Sequence, residues 1–516
     1  MPKKQPKLTN LFWSAAILLV CNFVSRVLGF IYKIILVRMI GTSGIGVTEM
    51  TGPMYSFALV AASLGIPLAL SRQLAFEIGK RRYQNLRRLQ NTAMTLLAIL
   101  GGAAALICCF FAPTLAERFG SAAGAGYLRT LAPAVLIVTV CSGFRAYFQA
   151  SKQIGVIGLS QNIEQLVRVM AGSLLVWLAL PQGLEAAVQA VAWATVLGEL
   201  CGLLFILRAY LKQRPRNDQP PDMSHANIVL RLFAFGAPVT IQRLLMSAIL
   251  MAQAMLIPLA LQKGGLSPAA ATDAYGNFSG VALSLIHLPG IFTATLATAL
   301  LPSIAESDGN RARLNSRINQ SLHITCVIAL PFMLLFYEFA EELCVWLFKA
   351  PGAAQSLRIL SMAAVFIYAQ TAFTSILQGL GKLKALFVSL ALSGLAFLAA
   401  IWWLTPQLAL SGAALAELSF AACACLIDFA YLRHFTALRL DFLNVIVKPL
   451  VAVIFGALSA KTAESLLSAC CQLNDWQMFL LMSAIGGIAY LIVLTFLGGL
   501  PKVLRRYLSP LVRKQP

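Results

Sequence analysis

The chain has 516 residues, of which 59% are hydrophobic and only 11% charged, against roughly 45 to 50% and 25% in soluble domains. Its formal net charge of +21 has no soluble basic domain to carry it, which excludes a nucleic-acid-binding reading. The composition is that of an integral membrane protein.

Apolar stretches of about 20 residues or more, enough to span a bilayer, recur along the whole length with no soluble domain between them. Fourteen are predicted, at 12–38, 45–76, 91–115, 127–149, 155–180, 186–210, 229–261, 273–304, 318–346, 356–380, 384–404, 410–432, 443–465 and 476–499. The first follows Lys3, Lys4 and Lys7 as a signal peptide would, but it is too long and lacks a small-residue cleavage site, so it reads as a retained helix. It also carries the first polar surprise. Arg26 and Lys33 lie seven residues apart, almost two turns, and so share one face of a spanning helix. A cation at the centre of a span costs roughly 2.5 to 3.5 kcal/mol on the lenient insertion scale. Helices that retain such residues turn them toward a wet cavity or a partner, and an anionic cargo is the natural one. Arg38 follows at the end of the same helix.

Gly65-Ile66-Pro67 in the second span and Leu288-Pro289-Gly290 in the eighth are hinge candidates, with an ordinary kink as the alternative. Pro53, Pro238, Pro258, Pro302 and Pro331 mark further breaks. Arg72 near the end of the second span either serves the cargo or snorkels to the surface. In the fourth and seventh spans, Arg145 and Arg243 are further cationic candidates for cargo binding. Glu164 and Arg168, four residues apart on the fifth, share a face and form either a structural pair or a gate. Glu49, Glu199 and Asp428 are candidate coupling carboxylates for a cation or a proton, the last two alternatively offsets for a neighbouring Arg. His287 and His323 lack metal-ligand company. No metal or cofactor site is expected. Cys108 with Cys109 and Cys470 with Cys471 are adjacent pairs, poorly placed for a disulfide, so the eleven cysteines read as apolar filler.

Lys and Arg concentrate in alternate loops, including 80–88, 208–216, 311–317 and 502–514, the positive-inside pattern. It predicts a multi-pass protein of the cytoplasmic membrane with both termini cytoplasmic. Shifting the chain by 229 residues lays the fourth span on the tenth with six identities in 22 positions, Leu128, Arg129, Leu131, Ala134, Phe144 and Gln149 falling on Leu357, Arg358, Leu360, Ala363, Phe373 and Gln378. The same shift sets Glu77 on Glu306, Arg88 on Arg317 and Glu199 on Asp428. An internal repeat of six helices, an even number, predicts two parallel copies. The expected organisation is an amino-terminal six-helix bundle at 1–210, a cytoplasmic linker at 211–228, a second bundle at 229–435, and two additional helices with a basic tail at 436–516.

Ser25-Arg26-Val27-Leu28-Gly29-Phe30, Gly65-Ile66-Pro67, and Tyr147-Phe148-Gln149 followed by Ser160-Gln161-Asn162-Ile163-Glu164-Gln165-Leu166-Val167-Arg168 resemble the stage V sporulation protein B family. This family is in the polysaccharide transporter branch of the multidrug/oligosaccharidyl-lipid/polysaccharide exporters, related to the lipid II flippases. The resemblance covers essentially the whole chain. It implies an all-α polytopic fold with V-shaped bundles, alternating access, and a polyprenyl-pyrophosphate-linked saccharide as cargo in cell-wall or spore-cortex synthesis. Arg26 and Arg38 carry over from the related flippases. The chain departs from them at Tyr32-Lys33, where they continue with Arg and Asp, and has Glu49 where sporulation relatives have Gln.

A Walker A loop and an HExxH motif are both missing, and no soluble domain is present to hold a nucleotide, so an enzyme is not expected. A monomer working with membrane lipids and an anionic lipid-linked saccharide is the leading expectation. The competing readings are a cation-coupled multidrug exporter of the same superfamily and a scaffold for wall-synthesis enzymes. A cationic drug calls for carboxylates in the cavity, and the first span has none.

Overall fold

The computed structural model describes residues 8–119, 122–213, 223–290, 292–293, 311–470 and 474–500. The described residues are helical with short connections and hold no strand. Eleven helical stretches among them are long and apolar enough to cross a membrane. Two of these, Val20–Gly79 and Leu383–Thr436, run to 60 and 54 residues. At 1.5 Å per residue they are roughly 80 to 90 Å long, far beyond the ~30 Å hydrocarbon layer, and each is broken within. The predicted eighth span, 273–304, lies partly outside the described residues, and Pro302, Glu306, Cys471, half of the 211–228 linker and the basic tail lie outside them.

The chain divides into two compact units, Met1–Gly280 and Val281–Pro516. In the first, α1 (Leu8–Ser63) is interrupted at Gly41, whose φ of 69° and ψ of 178° leave the helix. Such a conformation favours glycine, and it separates a first limb bearing Lys33 from a second bearing Glu49. Leu64 and Gly65 also have positive φ, and α2 (Ile66–Gly79) then starts with Pro67 in its first turn, where a missing amide hydrogen costs nothing. Gly65-Ile66-Pro67 is therefore a true helix break. Helices α3 (Gln84–Phe119), α4 (Ala122–Ala150), α5 (Ile154–Ala179) and α6 (Leu184–Gln213) follow, then α7 (His225–Lys263) and α8 (Pro268–Tyr275), which passes into a π-helical segment, Gly276–Ala282. Leu70, Leu74, Leu89, Phe148, Ile206 and Ile228 are fully buried at its core.

The compact boundary at Gly280 differs from the 211–228 boundary expected from the repeat, because α7 and α8 pack backbone to backbone on α1. A Cβ added at Gly46 would lie 2.1 Å from the Thr272 carbonyl oxygen, one at Gly276 would lie 1.9 Å from that of Thr42, and one at Gly65 would lie 2.5 Å from that of Gly236. Small residues at such crossings are how apolar helices gain contact where hydrophobicity gives no drive.

The second unit contains α9 (Arg311–Glu338), α10 (Ala340–Phe348), α11 (Ala354–Gly379), α12 (Leu383–Thr436), α13 (Lys448–Cys470) and α14 (Asp475–Phe496). Ala409, at φ 50° and ψ −131°, splits α12 into two limbs. Near Leu288-Pro289-Gly290 the backbone is helical through residue 290, and the buried Tyr368 hydroxyl donates to the Ile286 carbonyl. Adding 229 to the bounds of α3, α4 and α5 gives 313–348, 351–379 and 383–408. The second unit has α9 and α10 ending at Phe348, a helical turn and α11 over Pro351–Gly379, and a first limb of α12 from Leu383 to the break at Ala409. The helix bounds keep the register seen in the sequence.

Gly276→Val should destabilise the protein by about 1–3 kcal/mol, since the added carbon atoms meet a carbonyl with no space to yield. Gly102→Ala, where nothing lies within 4 Å, should stabilise by about 0.5–1 kcal/mol through helix propensity. Thermal unfolding in detergent micelles separates the two.

Candidate functional site

The two motifs behind the family resemblance meet in the first unit. On α1, Ser25 donates to the Asn162 side chain of α5, and Gly29 lies opposite Gln165, whose amide nitrogen is 3.3 Å from where a Cβ would sit. Tyr32 presses on the bare backbone of Gly172. The first limb is thereby fixed along α5, and its polar side chains are placed by that contact.

Lys33 Nζ lies 2.9 Å from Glu49 Oε1, with each side chain 25% exposed. Glu49 Oε2 in turn accepts from Ser279 at 2.7 Å. Lys33 was expected as a bare cation for cargo; the break at Gly41 brings a carboxylate back to it. Glu49 thereby gains a role as its counter-ion. Nearby along the second limb, Thr42 and Ser43 donate to Asp273 Oδ1 at 2.5 and 2.7 Å, and the Asn277 amide donates to the same carboxylate at 3.3 Å. Asp273 did not figure among the expected residues. Its only local signal is the i, i+4 spacing to Asn277.

A second group joins α4, α5 and α6. Arg145 Nη2 is 2.7 Å from Glu164 Oε2, Arg168 Nη2 is 3.1 Å from Glu164 Oε1, and the same Arg168 nitrogen is 2.6 Å from Glu199 Oε1. Two guanidiniums and two carboxylates thus form one chain of balanced charge. Gly198 and Gly202 make room for it, since a Cβ at Gly198 would lie 2.8 Å from the Glu164 carbonyl oxygen and one at Gly202 3.3 Å from the Glu164 side chain. The Glu164–Arg168 pair has the spacing expected of it. Arg145, a candidate for cargo, and Glu199, a coupling carboxylate or an offset for a neighbouring Arg, are both engaged in this chain, Arg145 with Glu164 and Glu199 with Arg168, since a charge in an apolar bundle is least costly beside its counter-charge.

The remaining cations stand differently. Arg26 and Arg243 are exposed on their helices, and among the described residues neither is paired with a carboxylate. Arg38 is also exposed. Arg72 lies over the Phe235 ring, 4.1 Å from its centroid, a cation–π contact that accounts for it without a cargo. In the second unit Asp428 is buried and accepts from Thr374 at 3.2 Å. His323 bonds the Gly499 carbonyl at 2.8 Å. Among the described residues no three His, Cys, Asp or Glu side chains gather as a metal site would require.

Glu164→Gln should cost about 3 kcal/mol of stability, the low end for breaking a buried pair, because it leaves Arg145 without its carboxylate and Arg168 with Glu199 alone. Adding Arg145→Gln should recover part of the loss, a coupling of about 0.5–3 kcal/mol that a double-mutant cycle of unfolding midpoints measures.

Comparison with known proteins adds the following. The chain is 26% identical over 419 residues to stage V sporulation protein B of Bacillus subtilis (strain 168), covering 78% of this chain and 79% of that one. It is 24% identical over 526 aligned positions to lipid II flippase MurJ of the same organism, covering 96% of each. Among solved structures, lipid II flippase MurJ in an inward closed conformation superposes with a TM-score of 0.73 at 12% identity, over 96% of this chain and 100% of that one, so the fold is shared. The model of the polysaccharide biosynthesis protein family matches residues 12–308, more than half of the sequence, and the chain belongs to that family.

Proposed function

We propose that the protein is a flippase that carries a polyprenyl-pyrophosphate-linked saccharide, a lipid II-like precursor, across the bacterial cytoplasmic membrane by alternating access. The observation that carries this reading is the surplus of unpaired positive charge on the first unit's membrane helices. Lys33 is balanced by Glu49, and Arg145 and Arg168 by Glu164 and Glu199, whereas Arg26 and Arg243 are exposed and, among the described residues, paired with no carboxylate. A pyrophosphate brings about two negative charges and several acceptor oxygens, which suit the fork of a guanidinium. The name of one Bacillus subtilis relative, lipid II flippase MurJ, supports a lipid-linked precursor as the cargo class.

The mechanism follows from the charges. Arg26, Arg243 and Arg38 attract the headgroup, while the lipid tail stays in the bilayer. Lys33 sits on the same helix face as Arg26, and its pair with Glu49 is only partly shielded. Exchange of the Glu49 carboxylate for a phosphate oxygen on Lys33 costs little, since one anion replaces another. Freed Glu49 keeps its bond from Ser279, so its charge is not left bare. The balanced chain of Arg145, Glu164, Arg168 and Glu199 acts as a brace among α4, α5 and α6.

A cation-coupled multidrug exporter fits less well. Glu49, Glu164 and Glu199 each already face a cation, so a cationic drug would find them satisfied. The distribution of Lys and Arg among the loops supports placing both termini in the cytoplasm, and a monomer is sufficient for this mechanism.

Reconstituted in proteoliposomes with a fluorescent lipid II, Arg26→Gln and Arg243→Gln should each slow flipping about 10- to 100-fold, the ratio for losing a charged hydrogen bond of about 1.5–3 kcal/mol. Unimpaired flipping by the double variant refutes the assignment. Strong resistance to cationic dyes on expression in a pump-deficient host would favour the exporter instead.

A further inference from the structure

Within the second unit, α9, α10, α13 and α14 enclose a cavity of about 350 Å³. Its walls are apolar, with Pro331 and Leu334 from α9, Val453 and Ala457 from α13, and Met482 from α14. Tyr490 lines one end, and its hydroxyl ties α14 to α9 by donating to the Val327 carbonyl at 2.9 Å. Phe479 ties α14 to the start of α10, meeting Phe339 and Trp346 edge-on with ring centroids 4.9 and 5.4 Å away. The wall between α13 and α14 is tight because both backbones are bare where they cross: a Cβ at Gly456 would lie 2.8 Å from the Gly486 carbonyl oxygen.

The other end of the cavity is charged. Glu338, Glu342, Lys461 and Glu464 gather there, three acids and one base. This is the end of α9 away from Arg311, Arg313 and Arg317, on the face that the loop charges predict as the outer one. Lys461 Nζ lies 3.3 Å from Glu338 Oε1, while among the described residues Glu342 and Glu464 form no ion pair. Glu342 Oε2 is buried without a hydrogen-bond partner, and so is Ser483 Oγ, which also lines the cavity. Ser459, Thr462 and Thr495 on the same two helices donate to the carbonyl four residues back. Ser483 does not, and a buried polar atom left bare calls for a ligand or a water.

An apolar body with one charged end suits an amphiphile, and inside a bilayer the abundant amphiphile is a lipid. The charges then select its headgroup. An anionic headgroup meets three carboxylates and is repelled, whereas a zwitterionic one finds Lys461 for its phosphate and Glu342 and Glu464 for its ammonium. The bare Glu342 oxygen takes a hydrogen bond, which a primary ammonium donates and a trimethylated one cannot. We propose that this cavity binds a bilayer phospholipid with a primary ammonium headgroup, one acyl chain lying among α9, α13 and α14 and the ammonium held by Glu342 and Glu464. The lipid is a resident and not the cargo, since these carboxylates would repel a pyrophosphate.

The test uses the full chain purified in detergent, with phosphatidylethanolamine, phosphatidylcholine or phosphatidylglycerol of identical acyl chains added back. Native mass spectrometry counts the lipid retained, and the thermal unfolding midpoint follows its concentration, since a ligand of the folded form raises it. Phosphatidylethanolamine should be retained most tightly and should raise the midpoint several degrees above the other two. Glu342→Gln should weaken its retention about 10-fold, the low end for losing a hydrogen bond to a charged group. Gly487→Phe, which fills the cavity from a position where nothing lies within 4 Å of an added Cβ, should abolish it. Equal responses to the three lipids, a stronger response to phosphatidylcholine or phosphatidylglycerol, or undiminished retention by Gly487→Phe overturns the proposal, and Gly487→Phe decides even if Glu342→Gln does not fold.

Discussion

A charge carried into the hydrocarbon layer must meet its counter-charge inside the bundle, and that requirement organises the first unit. Four ion-pair contacts join Lys33 to Glu49 and link Arg145, Glu164, Arg168 and Glu199. None is a surface bridge of negligible worth. Lys33–Glu49 ties the two limbs of α1, Arg145–Glu164 joins α4 to α5 and Arg168–Glu199 joins α5 to α6, while Glu164–Arg168 links these last two along α5, so satisfying the charges also sets the packing. Glycines then follow from the charges: Gly198 and Gly202 are bare because Glu164 and Arg168 need the space.

The helix breaks serve the same end. An unbroken α1 of 56 residues would carry Glu49 roughly 24 Å beyond Lys33 along one axis, at 1.5 Å for each of 16 residues. The left-handed conformation at Gly41 turns the second limb back and closes the gap to 2.9 Å. The same limb then meets α8 through Gly46 and Gly276, and its Thr42 and Ser43 hydroxyls satisfy Asp273. One glycine thus positions a cation, its partner and a helix crossing.

This explains what the sequence disclosed and what it withheld. Hydropathy determines the class of fold because a bilayer demands long apolar segments, and that demand leaves its mark on nearly every residue. The shift of 229 residues is carried by many positions at once, and adding it to the helix bounds of α3 to α5 gives bounds close to those of α9 through the first limb of α12. Local pairs are legible by spacing, as with Glu164 and Arg168. Lys33 with Glu49 was not, because a 16-residue separation means nothing until the break between them is known. Arg145 was read as free for cargo, and the Arg that Glu199 offsets was not identified, because their partners come from other helices. The compact boundary at Gly280 follows from backbone contacts such as that of Gly65 with Gly236, which leave no mark in hydropathy.

Two helix sets in one register carry charge differently. In the first unit Arg145 and Arg168 face Glu164 and Glu199, so the α4–α6 core holds acids and bases in equal number. At the positions 229 residues on stand Thr374, Phe397, Ser393 and Asp428, so both cations and one acid are replaced there. Packing and hydroxyl contact take their places: Phe397 is buried against Phe420 with ring centroids 5.0 Å apart, and Thr374 donates to Asp428 at 3.2 Å. A common register therefore decides where these helices begin and end, and the side chains decide which interaction holds them.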